Sequence, residues 1–202
     1  MTELVLVRHG ETEWHAENRY AGRSDVALTD RGRRQADALA AWAPGAGLDA
    51  VVTSSLSRAR ETAAPVARAL GLRAEIDARL VEVDFGAGDG RTRDEMRAQF
   101  PDALAAFLAR PASCPFPRGE SGADAVARAL PALEHLEDVH PDGRVLVVAH
   151  QTLLRLLLCA LLGIPLDRYR AVLPRLDNVA PTTVRVGGAD GPALLALNVP
   201  LT

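Results

Sequence analysis

The sequence predicts an α/β fold, a three-layer sandwich in which a mostly parallel central sheet is flanked by helices. Three observations predict it. Apolar runs of four or five residues, such as Leu4–Val7 and Val145–Ala149, read as strands buried on both faces. Stretches with helical spacing separate them, as crossover connections require. One segment alone, about 83–125, breaks the alternation.

Taken in order, Leu4–Val7 is the first strand, and it ends on Arg8-His9-Gly10. A helix follows from Thr29, a Ser/Thr-type N-cap. Ala36, Leu39, Ala40 and Ala43 fall on one of its faces, and Pro44-Gly45 stops it. Ala50–Thr53 is a second strand. The helix after it runs from about Ser55 to Leu70, with Gly71 at the C′ position. Arg73–Ile76 is a third strand. Residues 83–125 then hold Gly86, Gly88, Gly90, Pro101, Pro111, Pro115 and Pro117 around two short helical patterns, about 92–99 and 102–109. This segment reads as a lid over the sheet edge and not as core. A long helix, about Ser121–Asp138, starts at Ser121 with Asp124 three residues on. Asp142-Gly143 turns into the strand Val145–Ala149, and His150 opens a helix that ends at Gly163 before Pro165. Thr182–Val186 and Leu194–Leu197 complete the strands.

A chain of 202 residues with 48% hydrophobic content is not disordered and suits one domain, 1–202. A formal net charge of −3 gives no overall field for nucleic acid or an anionic membrane. An anion site must therefore be a local cluster of cations. The apolar stretch Leu153–Leu162 is interrupted by Arg155 and is too short to cross a bilayer. Met1-Thr2-Glu3 has no basic signal region, and Cys114 and Cys159 share no zinc or redox spacing. The expectation is a soluble, cytoplasmic protein without nucleic-acid or membrane partners. No large apolar stripe decides the oligomeric state, which leaves a homodimer open.

Three strand-to-helix junctions carry groups suited to phosphate. Arg8-His9-Gly10 offers a guanidinium fork beside a nitrogen nucleophile. Arg58 lies in the first helical turn after Ala50–Thr53, where the helix dipole repels a cation unless an anion is bound. His150 directly follows Val145–Ala149. In a parallel sheet all three fall on the carboxyl edge, where open α/β sheets bind ligands. Glu82, at the start of the Gly-rich segment, is a candidate proton donor to a leaving alkoxide. No spacing among His9, His15 and His150 supports a zinc site, so no metal or cofactor is expected.

The segment Leu4–Trp14, with Arg8-His9-Gly10-Glu11-Thr12-Glu13 at its centre, resembles the signature of the histidine phosphatase superfamily, the phosphoglycerate-mutase-like group. The resemblance continues in order through Asn18-Arg19, Gly22, Asp25, Leu28-Thr29 and Gly32. It recurs at Ser54–Thr62, Glu82–Gly86, Gly119-Glu120-Ser121 and Val148-Ala149-His150, covering nearly the whole chain. It implies that His9 takes the phosphoryl group, that Arg8, Arg58 and His150 hold its oxygens, and that Glu82 donates the proton. It also implies phosphate contacts for Gly22, for Gln151 and for His15, which stands where the family usually has asparagine. The substrate would be a small phosphorylated metabolite.

The family includes mutases, which carry a longer insertion after the acid and follow that acid with arginine. Here the insertion ends by Arg118 and Val83 follows the acid. A short lid leaves phosphohistidine open to water, which favours a phosphatase. Mutase-type transfer and phosphate binding without turnover are the alternatives. Arg118 and His150-Gln151 resemble the fructose-2,6-bisphosphatase branch, where Arg118 would meet a second anion; a solvated charge and a helix cap are the simpler readings. Gly88-Asp89-Gly90 replaces a block that often contains tryptophan, removing packing expected beneath the lid.

Overall fold

The computed structural model describes residues 1–201. Its strands are β1 (Thr2–Arg8), β2 (Ala50–Ser54), β3 (Ala74–Asp77), β4 (Arg144–Ala149), β5 (Thr182–Val186) and β6 (Ala193–Ala196). They form one sheet in the order β3-β2-β4-β1-β5-β6. The first four run parallel, and β5 and β6 are added antiparallel at one side. Among the described residues, no helix is long and apolar enough to cross a membrane.

The two-residue strand period sorts the apolar side chains into two cores. Val5, Val7, Leu146 and Val148 pack with Leu39 of α1 (Asp30–Trp42) and Ala59, Ala63 and Val66 of α2 (Ser57–Leu70). Leu4, Leu6, Val145 and Val147 pack on the other face. Their partners there include Leu133 of α5 (Gly122–Val139) and Leu153 and Leu157 of α6 (Gln151–Leu161). The three-layer sandwich follows from that alternation.

The helix starts have physical causes. Thr29 caps α1 by accepting from Gly32 N–H, and Ser121 caps α5 by accepting from Asp124 N–H. Gly71 closes α2 in the left-handed conformation. Two starts differ from the sequence expectation. Helix α2 begins at Ser57, because Ser54 is still strand and Asp25 Oδ1 accepts from Ser57 N–H at 2.8 Å. His150 is the N-cap of α6 and not part of its first turn.

The segment after Glu82 is more than a lid. It contains α3 (Arg93–Gln99) and α4 (Pro101–Ala109). Phe85, Met96, Leu104, Phe107, Ala112 and Phe116 are all buried in the α5–α6 core. Only Leu104 and Phe107 share an element, α4; the others come from separate turns or short helices, so no long period marks the set as core. Phe107 and Phe116 pack with ring centroids 4.1 Å apart, and Tyr20 meets Phe85 edge-on at 5.1 Å. These rings supply the packing that the missing tryptophan would have given. A four-residue helix, α7 (Tyr169–Val172), lies in the 164–181 stretch, where the sequence predicts no element.

The loop after β1 crosses α1 with almost no clearance. A Cβ on Gly10 would lie 2.6 Å from the Gly32 carbonyl oxygen, and one on Gly32 would lie 2.1 Å from that of Glu11. Gly32→Ala is therefore expected to destabilise the fold by about 1–3 kcal/mol, the usual cost of overpacking. Urea unfolding followed by circular dichroism measures it; unchanged stability would mean that the loop yields freely.

Candidate active site

Strand β1 delivers Arg8 and His9 to the carboxyl edge of the sheet. His9 N–H continues the ladder to Ala149 O, and the imidazole is 5% exposed. Its Nδ1 lies 2.7 Å from Gly10 O, a partner that can only accept. The proton therefore sits on Nδ1, leaving a lone pair on Nε2. Asn178 donates through Nδ2 to His9 O at 2.6 Å, and Thr62 Oγ1 accepts from Gly10 N–H at 3.0 Å. The nucleophile candidate is thus fixed from both sides.

Arg58, at the second position of α2, is fully buried. Its Nη1 donates to Ser24 O, and its Nη2 to the carbonyls of Gly22 and Ala21. His150 is equally buried, with its ring 5.1 Å from that of His9. Its Nε2 lies 2.8 Å from Ser54 Oγ. The Ser54 hydroxyl accepts from Leu56 N–H and has a proton of its own; in the tautomer in which it gives that proton to His150 Nε2, the imidazole proton sits on Nδ1. Four buried side-chain nitrogens have no hydrogen-bond partner among the described residues: Arg8 Nε, Arg58 Nε, His150 Nδ1 and Arg144 Nε, the last of which is ion-paired with Glu3. Arg144 opens β4 at the far end of the sheet. The other three surround His9.

Glu82 is 5% exposed. Its Oε1 accepts from Val83 and Leu153 N–H, and its Oε2 from Thr152 N–H, so the amino end of α6 fixes it. Arg8 donates from Nη1 to Gln151 Oε1 at 2.7 Å and to Leu176 O, while its Nη2 meets His15 Nε2 at 2.6 Å. Arg8, His9, His15, Glu82 and Gln151 line one cavity of about 740 Å³. Arg58 and His150 are buried outside that lining set.

Gly22 departs from its expected role. Its N–H is taken by Asp89 Oδ1 at 2.9 Å and its carbonyl by Arg58, so it positions Arg58 and has no donor left for phosphate. A Cβ there would also lie 2.9 Å from Val83 O. Arg118 is exposed and lies outside the cavity.

Electrostatically, the pocket holds cations beside neutral imidazoles. Burial, reinforced by His150, Arg58 and Arg8, holds His9 well below the ordinary histidine value. Burial does the same to His150, with Arg58 and Arg8 adding to it. His15 is pushed down to about 4, chiefly by burial and then by Arg8. Burial brings Arg8 down to about 10, still protonated at neutral pH, and pushes Glu82 up against three backbone N–H groups. The arrangement suits an anion facing a neutral nitrogen nucleophile, with a protonatable carboxyl nearby. Among the described residues, no three His, Cys, Asp or Glu side chains are grouped to hold a metal ion.

Residues 4–200 match the model of the histidine phosphatase superfamily (branch 1). The chain belongs to this superfamily. Phosphoserine phosphatase 1 of Hydrogenobacter thermophilus is 34% identical over 169 residues, covering 84% of this chain and 80% of the relative. A Cronobacter sakazakii protein named "Probable phosphoglycerate mutase GpmB" is 35% identical over 184 residues, covering 91% and 85%. The mycobacterial glucosyl-3-phosphoglycerate phosphatase Rv2419c, solved in complex with VO3, superposes with a TM-score of 0.89. It shares 31% identity over 98% of this chain and 99% of that one. Family and phosphatase-named relatives together make this chain a histidine phosphatase.

Sequence reasoning missed Asn178, Leu176 O and Thr62 in this histidine phosphatase. Asn178 pairs with Arg8 through an isolated parallel bridge, and Val179 N–H donates to Arg8 O. Val179 is held at φ 57°, a strained conformation for a β-branched residue. The only sequence signal was Asp177-Asn178 as turn formers before Pro181.

The buried imidazoles make stability depend on pH. Unfolded histidines take up protons near pH 6.5, while folded His9, His15 and His150 do so only at lower pH. Their contribution is complete above pH 6.5 and is lost as the pH falls; Glu82, raised, changes in the opposite sense. Unfolding free energy is expected to fall by roughly 1.4 kcal/mol per pH unit for each net proton below pH 6.5. Urea titrations at pH 7.0 and 5.5 check this, and equal stabilities would contradict neutral burial of the imidazoles.

Proposed function

We propose that this enzyme hydrolyses a small phosphorylated metabolite through a phosphohistidine on His9, using no metal. The observation that carries the reading is the set of three unpartnered buried donors around His9: Arg8 Nε, Arg58 Nε and His150 Nδ1. Leaving such groups unpaired costs about 1–3 kcal/mol each, and a tetrahedral oxyanion removes all three costs at once.

In the first step His9 Nε2 attacks phosphorus as the P–O bond to the leaving group breaks. Glu82 gives its proton to the departing oxygen, releasing an alcohol. In the second step water attacks the phosphorus and the P–N bond breaks. Glu82 takes the proton back, and phosphate leaves with Nε2 restored. Positive charge comes from Arg8 and Arg58, and neutral His150 donates a hydrogen bond. Phosphoryl transfer needs little beyond such positioning and charge stabilisation. The bond from His9 Nδ1–H to Gly10 O supports phosphohistidine by holding the attacking tautomer. The mutase name of one relative keeps transfer to a second substrate as the competing reading.

His9→Ala is expected to lower turnover at least about a thousandfold and to abolish an acid-labile, base-stable phosphoprotein, with circular dichroism unchanged. Excess chelator should leave the wild-type rate intact. A folded His9→Ala variant that keeps its activity would sink the mechanism. Isomer exchange outpacing phosphate release would move the assignment to a mutase, and phosphate binding without turnover would make it a binding module.

Glu82→Gln should reduce kcat/KM for alkyl phosphates about 10²–10⁴-fold but for para-nitrophenyl phosphate far less, since that leaving group needs no proton. With the wild type, kcat/KM for an alkyl phosphate should fall as pH rises through the raised Glu82 value and as it falls through the lowered His9 value. Equal losses for both leaving groups would remove Glu82 from the proton-donor role.

A further inference from the structure

The cavity extends well past the reacting groups. Its outer wall includes Asn18, Tyr20, Thr92, Arg93, Arg170 and Pro174. The 740 Å³ volume fits a small organic ligand and far exceeds what a phosphoryl group alone fills.

Two guanidiniums in that wall have no carboxylate partner among the described residues. Arg93 donates from Nε, and Arg170 from Nη2, to the same Tyr20 hydroxyl, each at 3.4 Å. Two like charges thus meet across one phenol oxygen. Arg93 is the first residue of α3, where a cation also opposes the helix dipole. Arg170 lies over the Phe107 ring at 4.5 Å and donates from Nε to Tyr169 OH at 3.0 Å, which fixes its direction. The cavity's own outer carboxylates are committed elsewhere: Glu17 to Arg19 and Asp94 to Arg97. Arg155, the remaining nearby cation, spends Nε and Nη2 on the carbonyls of Leu173 and Pro174. Among the described residues, Arg93 and Arg170 are therefore the wall cations whose hydrogen bonds go only to tyrosine hydroxyls and whose charge no carboxylate balances.

We propose that Arg170 and Arg93, with Tyr20 between them, form a second anion subsite. The substrate is then a phosphomonoester carrying another anionic group, a carboxylate or a second phosphoryl, at the end remote from His9. This rests on the phosphatase reading for which end reacts. An arriving anion separates the two guanidiniums electrically and accepts from both, while Tyr20 OH has its own proton to give.

Matched substrate pairs test it. 3-Phosphoglycerate carries a carboxylate where glycerol 3-phosphate carries a hydroxymethyl group; fructose 1,6-bisphosphate and fructose 6-phosphate differ only by a phosphoryl group. The wild type should favour the doubly anionic member of at least one pair by tenfold or more in kcat/KM. The pair that discriminates identifies the anion as carboxylate or phosphoryl. Arg170→Gln and Arg93→Ala should each bring that ratio towards one; Arg93 is exposed, so its removal leaves the core packed. Calorimetry with His9→Ala and the same four compounds reads the preference without turnover. Ratios near one in the wild type, or ratios unmoved in both variants, overturn the subsite while leaving hydrolysis through His9 standing. A binding preference that the variants abolish, in a protein that hydrolyses nothing, establishes the subsite and overturns the phosphatase reading instead.

Discussion

Arg58 is cut off from water without a carboxylate against it, and much of the fold follows from keeping it there. A buried cation at the amino end of a helix is disfavoured by desolvation and by the helix dipole together. The carbonyls of Ala21, Gly22 and Ser24 offset part of that cost. To present three carbonyls to one guanidinium, the chain must curl into a loop with nothing regular to hold it. Two carboxylates do so from outside. Asp89 accepts from the N–H groups of Gly22 and Ser24, and Asp25 binds Ser57 at the start of α2. The same loop then carries Tyr20 into the aromatic cluster under the 83–125 segment and onto the cavity wall. One buried guanidinium thus couples the sheet edge, α2 and the lid.

The absence of ion pairs is what leaves the pocket its positive charge. Arg8 and Arg58 form no salt bridge among the described residues, and Glu82 is bound by backbone N–H groups of α6 in place of an arginine. A carboxylate paired with either guanidinium would stabilise the empty site and compete with every incoming phosphate. Carbonyls and imidazoles satisfy geometry without neutralising charge. Burial holds His9 and His150 unprotonated, and the charge that remains on Arg58 and Arg8 adds to that effect.

The parts legible in the sequence were those with a short-range cause. Strands on both sides of His9 were visible because doubly buried strands are apolar throughout. Thr29, Gly71 and Ser121 marked helix ends because capping needs specific side chains. Arg8, His9, Arg58 and His150 were readable because each ends or follows a strand on the same sheet edge. Glu82, set off from β3 by a turn, was readable only through the family resemblance. The structure places Arg8, His9 and Glu82 on one cavity, with His150 packed on His9. What could not be read depends on distant contacts. Phe85, Phe107 and Phe116 form core only when Gly and Pro turns fold them onto one another. Gly22 looked like a phosphate contact because the demand on its N–H comes from Asp89, sixty-seven residues away. Asn178 holds the His9 carbonyl from a stretch with no periodicity, where a left-handed valine marks strain that no sequence pattern shows.

The packing of the lid bears on the choice between hydrolysis and transfer. A mutase must keep water from phosphohistidine until the phosphoryl group returns to a bound acceptor. Here Phe85, Phe107 and Phe116 anchor the 83–125 segment in the α5–α6 core, so it stands as a fixed wall and not as a flap over His9. The cavity between this wall and the sheet edge reaches His9 and Glu82 directly. A route for water to His9 therefore needs no movement of the lid, and Glu82 borders the same cavity. Closing that route would require the segment to leave its core, at the cost of exposing several buried aromatic rings. On the proposed phosphohistidine route, the packing of the lid therefore favours water as the acceptor.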